Sequence, residues 1–132
     1  MKTHRWMLPL LLLFPLLFVG CHGDEEEVVP LAKPTSVIKV EGPATAVVGE
    51  SVALEVYFVV ANGCGQLGSF GTTTLDSVVT IAVYPVYAGQ ACTLNLPTRK
   101  AIYTYTPVSK GTHTLKFWRG INDYIVKQIE VQ

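Results

Sequence analysis

The chain has 132 residues, with ten Lys and Arg against ten Asp and Glu, and 49% of its residues are hydrophobic. That length holds one ordinary domain and not two. Setting aside Lys2 and Arg5 of the N-terminal leader leaves eight basic groups against ten acidic ones, a net charge near −2, which excludes the basic face that a nucleic-acid binder needs.

Residues 1–20 have the layout of a secretory signal peptide. Lys2 and Arg5 form a positive start, and Met7 to Val19 is apolar. The run is shorter than the roughly 20 residues that span a bilayer, and it is interrupted by Pro9 and Pro15. Leu17-Phe18-Val19-Gly20-Cys21 then resembles a bacterial lipobox, with Phe18 standing where a Leu is usual. The resemblance implies that Cys21 is lipidated, with palmitate among the acyl chains, and becomes the mature N-terminus. Two or more chains anchor a soluble domain stably, because each buried CH₂ contributes about 0.8 kcal/mol.

Residues 21–36 read as a tether. Asp24 and Glu25 to Glu27 make its first half acidic, and Pro30 and Pro34 keep its second half extended. Cys21-His22-Gly23-Asp24-Glu25-Glu26 also resembles the acidic stretch that sends lipoproteins of Bacteroidota-type bacteria to the outer face of the outer membrane. The membrane, reached through the lipid on Cys21, is thus one expected partner, and the outer membrane the expected location, with a periplasmic or an external orientation both open.

Residues 37–132 read as a single all-β domain, because β-branched residues alternate with polar ones and Gly or Pro punctuates the runs. Val37 to Val40 and Ala44 to Val48 are short strands. Ser51 to Ala61 places Val52, Leu54, Val56, Phe58 and Val60 on one face, the core face, and the weakly polar Ala53, Tyr57 and Val59 on the other imply a central strand covered on part of both sides. Asn62 to Gly71 is glycine-rich and reads as an irregular loop. Val78 to Val86 resumes the alternation, and Pro85 marks its end or a sheet edge. Strands follow at Ala101 to Pro107, Thr112 to Trp118 and Tyr124 to Val131.

About seven strands at this spacing fit a two-layer antiparallel sandwich. Gly49 to Val56, Tyr103-Thr104-Tyr105-Thr106-Pro107 and Gly111 to Phe117 resemble bacterial immunoglobulin-like modules, with His113 where those modules usually carry Tyr. The resemblance speaks to fold and leaves function open.

With Cys21 assigned to lipid, Cys64 and Cys92 remain to form a disulfide, as an exported domain permits. A metal site from Cys64, Cys92 and His113 is the alternative, and their spacing is unlike that of zinc modules; no metal and no cofactor is expected. His113 alternates with Leu115 and Phe117 and so belongs to the core. The carboxylates Glu41, Glu50, Glu55, Asp76, Asp123 and Glu130 are scattered, whereas a glycosidase needs two that converge. No enzyme activity is expected: the chain reads as a lipid-anchored binding or structural module of the cell envelope, with a surface glycan-binding accessory lipoprotein as the alternative and a small envelope enzyme or inhibitor behind it. Tyr57, Tyr84, Tyr87, Tyr103, Tyr105, Trp118 and Tyr124 are the aromatic candidates, since aromatic faces can stack on a glycan or on a protein partner, and Trp118 and Tyr124 are singled out as the candidate ligand-binding residues. Trp118, out of phase with Leu115 and Phe117 and beside the Gly120 turn, is expected to be exposed.

Overall fold

The computed structural model describes residues 33–132. The leader of residues 1–20, the lipidation at Cys21 and all but the last residues of the 21–36 tether lie outside the described residues.

The described chain is all-β, with eight strands: β1 (Val37–Glu41), β2 (Thr45–Ala46), β3 (Val52–Val59), β4 (Gly65–Leu75), β5 (Val78–Tyr87), β6 (Thr98–Tyr105), β7 (Gly111–Gly120) and β8 (Asp123–Val131). They form a three-stranded sheet in the order β1-β3-β6 and a five-stranded sheet in the order β2-β8-β7-β5-β4. The two sheets are a sandwich, as the alternating sequence demands. β3, β5, β7 and β8 each have one apolar face, and stacking the two sheets removes these faces from water. Leu54, Val56 and Phe58 from β3 meet Ile81 and Val83 from β5, Leu115 and Phe117 from β7, and Ile129 and Val131 from β8 in one buried cluster.

Two pairings depart from an antiparallel sandwich. β5 lies parallel to β7, with Val79 beside Leu115 and Ile81 beside Phe117, and β2 lies parallel to β8. Parallel neighbours require a crossover, and here β6 provides one for β5 and β7 by passing through the opposite sheet.

A larger correction concerns residues 62–71. The glycines suggested a loop, yet Gly65–Leu75 is an 11-residue edge strand paired along its length with β5. Its glycines accommodate neighbours that approach closely: a Cβ on Gly71 would lie 2.6 Å from the Tyr84 ring. Pro85 falls within β5 opposite Leu67, next to the irregularity between Leu67 and Ser69. By then β7 has left the other flank of β5, where Thr35 takes its place in a single bridge to Val83. Proline's missing N–H is therefore tolerated on a locally free flank.

The turns follow local chemistry. Asp76 and Asn122 occupy the left-handed region, each with φ of 55°, in the two-residue hairpin turns β4–β5 and β7–β8. Short Asx side chains tolerate that conformation better than most residues.

Candidate functional site

Alternation places Thr80, Ala82 and Tyr84 of β5, Lys116 and Trp118 of β7, and Tyr124 and Val126 of β8 on the outer face of the five-stranded sheet. Trp118 stands opposite Tyr124, and Lys116 opposite Val126. Trp118 is half-buried rather than exposed, whereas Tyr124 is 37% exposed. The same face continues toward β4, where Ala82 pairs with Gly71 and the Tyr84 ring lies against that glycine. Trp118 and Tyr124 thus form an aromatic pair across β7 and β8, and Tyr84 lies farther along the same sheet face, past the last pairing of β5 with β7. Sequence reasoning named all three among its aromatic candidates and singled out the first two; that Tyr84 shares their face follows from the pairing of β5 within the same sheet.

A concavity opens between the sheet edges formed by β4 and β6. It encloses about 200 Å³ and is lined by Thr72, Thr74, Tyr103, Tyr105, Ser109 and His113, among others. Phe70 and Phe117 hold the Tyr103 ring by edge-to-face contacts at 5.2 and 5.9 Å. His113 is 3% exposed. The carbonyl of Ser109 lies 2.8 Å from its Nε2, so Nε2 carries the proton and donates. Nδ1 then accepts from the Tyr105 hydroxyl. The imidazole ties β7 to β6 and to the loop between them. The Ser109 hydroxyl is 3.4 Å from the same Nε2, but that nitrogen already donates to the carbonyl and has no lone pair left to take a serine proton.

Burial raises the pKa of Tyr105 above its ordinary value, with the neighbouring Tyr103 adding to the effect. A raised folded-state pKa means that the neutral phenol stabilises the fold below the unfolded value near 10, and that this contribution fades as pH climbs through the folded value. Urea midpoints measured between pH 8 and pH 11.5 should therefore fall at the alkaline end. Tyr105→Phe should start from a lower midpoint, having lost the bond to His113, and then fall less steeply with pH. A fall as steep as in the wild type would refute the assignment.

The carboxylates are less scattered than the sequence suggested. Glu41 and Glu55 face each other across β1 and β3, and the Tyr57 hydroxyl donates to both at 3.2 and 3.1 Å. Lys39 pairs with Glu41 at 2.7 Å and Lys100 with Glu55 at 3.0 Å. The bonds from Lys39 and from Lys100 respectively hold the Glu41 and Glu55 carboxyls below their ordinary range, with Tyr57 adding to each effect. The two carboxylates that do converge are thus neutralised on an open sheet face. Among the described residues, no group of three or more His, Cys, Asp or Glu side chains is placed to hold a metal ion.

Cys64 and Cys92 form a disulfide, with their Cα atoms 5.3 Å apart. It joins the end of the β3–β4 loop to the β5–β6 loop. Gly89, with φ of 127°, lies where a Cβ would come within 3.0 Å of the Cys64 sulfur. Arg99 adds a second tie, donating from Nε to the Gly65 carbonyl at 2.9 Å and from Nη2 to that of Gly63 at 2.8 Å.

No curated protein and no solved structure matches the chain. The family model of the ORF11 beta-sandwich domain matches residues 54–131, from β3 through β8 and more than half of the sequence. Its span takes in the aromatic pair, the cleft and the disulfide, and the chain therefore belongs to the ORF11 beta-sandwich domain family.

Proposed function

We propose that this protein is a non-catalytic binding module of the bacterial cell envelope, held on the outer membrane through lipid on Cys21, with the outer face of its five-stranded sheet as the binding surface. The observation that carries the proposal is the aromatic pair Trp118 and Tyr124, opposite each other on the outer face of β7 and β8, with Tyr84 farther along the same face. Aromatic side chains on a strand face supply contact area at low entropic cost and suit flat partners. The immunoglobulin-like character read from the sequence fits this role, since a rigid sandwich presents a face without rearranging.

A glycan is the favoured ligand over a protein. Ala82 and Gly71 add little side-chain bulk to this face, and flat aromatic faces suit stacking on sugar rings. Two measurements on the full chain test the proposal. A palmitate analogue fed to cells should label the wild type and not Cys21→Ala; equal labelling of both removes the anchor. On a glycan array the wild type should bind, and Trp118→Ala should bind about 30-fold more weakly, as the loss of a 2 kcal/mol hot spot implies. An array without any binding sinks the glycan reading.

A further inference from the structure

A sheet edge exposes a row of unpaired N–H and C=O groups, and natural proteins protect such edges with charge, proline, brevity or cover. Four strands of this sandwich are edges, and three are protected. β2 is two residues long. β1 has five residues and carries Lys39 and Glu41, and β6 carries Arg99 and Lys100.

β4 is the exception. It is the longest strand, 11 residues, and its sequence Gly65-Gln66-Leu67-Gly68-Ser69-Phe70-Gly71-Thr72-Thr73-Thr74-Leu75 has neither a charged residue nor a proline. Beyond the irregularity at Leu67/Ser69, Ser69 to Leu75 is regularly paired with β5 on one flank. Among the described residues nothing pairs with the other flank. Thr72, Thr73, Thr74 and Leu75 are exposed.

We propose that β4 pairs with β4 of a second copy, antiparallel, about a twofold axis at Thr72, joining two five-stranded sheets into one of ten strands. The occupant follows from the composition of the edge. Self-pairing sets every residue against one from the same segment, so an edge with charges of one sign, like that of β6, would oppose like charges, which is destabilising. β4 has no charge to oppose. With the axis at Thr72, Ser69 faces the second copy's Leu75, Phe70 its Thr74, Gly71 its Thr73, and Thr72 its own counterpart.

The Thr72 pair on the axis is among the favourable cross-strand combinations. The Tyr84 ring, lying against Gly71, packs beside the junction in each copy. The inference concerns assembly and is independent of the glycan and lipid readings.

Cysteine scanning of the full chain, expressed in an envelope-bearing host, tests it. Only a residue on the axis meets its own copy, so Thr72→Cys should yield a band of twice the monomer mass on a non-reducing gel. Ser69→Cys, Leu75→Cys and the β6-edge control Ile102→Cys should not. Adding Thr73→Lys to Thr72→Cys sets two lysines about 7 to 8 Å apart across the axis and should reduce the band severalfold. Absence of the dimer band from Thr72→Cys, an equal band from Ile102→Cys, or a crosslink only to a different protein would each overturn the proposal.

Discussion

Replacing Cys64 and Cys92 together by serine should lower the thermal midpoint of the protein by roughly 15 to 25 °C. The bridge spans 28 positions, and closing a loop of that size removes about 3 to 4 kcal/mol of freedom from the unfolded chain. One kcal/mol corresponds to about 4 to 8 °C in a domain of 60 to 100 residues. The loss should be uneven. The segment between β5 and β6 has no strand partner, and its described ties are the disulfide, the Gly63 amide on the Thr93 carbonyl, the Val60 amide on the Pro97 carbonyl and the Asn95 amide oxygen bonded by Thr93. Hydrogen exchange should therefore accelerate first in residues 88–97 and last in β7, which is flanked on both sides. A calorimetric midpoint within a few degrees of the wild type would mean that the bridge constrains neither state.

What could be read from the sequence was whatever each strand declares by itself. β3 and β7 are flanked by neighbours on both sides, so alternation alone marks Leu54, Val56, Phe58, Leu115 and Phe117 as inward. The all-β sandwich and the buried His113 follow from that pattern. β4 was hidden because its alternation is broken by glycines whose reason lies in other strands: Gly65 against Val60, and Gly71 beneath Tyr84. The parallel register of β5 with β7 was equally unreadable, since period two says which face a residue takes and nothing about a neighbour's direction. The same limit applied to the candidate site. Trp118 and Tyr124 could be named from their phase on adjacent strands, but Tyr84 joins them only through the order β8-β7-β5-β4. The disulfide was legible by elimination, whereas the Glu41–Tyr57–Glu55 cluster required the register of β1 on β3.

The second large effect is expected from Phe117→Ala, at about 3 to 5 kcal/mol in equilibrium urea unfolding. Phe117 is fully buried on β7, opposite Ile125 on one side and beside Ile81 on the other. Its ring meets the edge of Tyr103 at 90° and 5.9 Å, so it contacts both sheets. Truncation removes the apolar area and leaves a cavity that rigid strands on either side cannot close. Against a total stability of 5 to 15 kcal/mol for a typical domain, that loss leaves the fold marginal. Phe117→Leu, which retains most of the volume, should cost less than about half as much. Ile102→Ala, at an outward position that is 50% exposed, should stay within about 0.5 kcal/mol of the wild type. The denaturant slope should be unchanged in all three, because the surface exposed on unfolding is nearly the same. The discriminating result is the ratio between the Phe117 and Ile102 losses: if the two were equal, the two sheets would not share one packed interior, and the cleft beside Tyr103 would have no rigid wall.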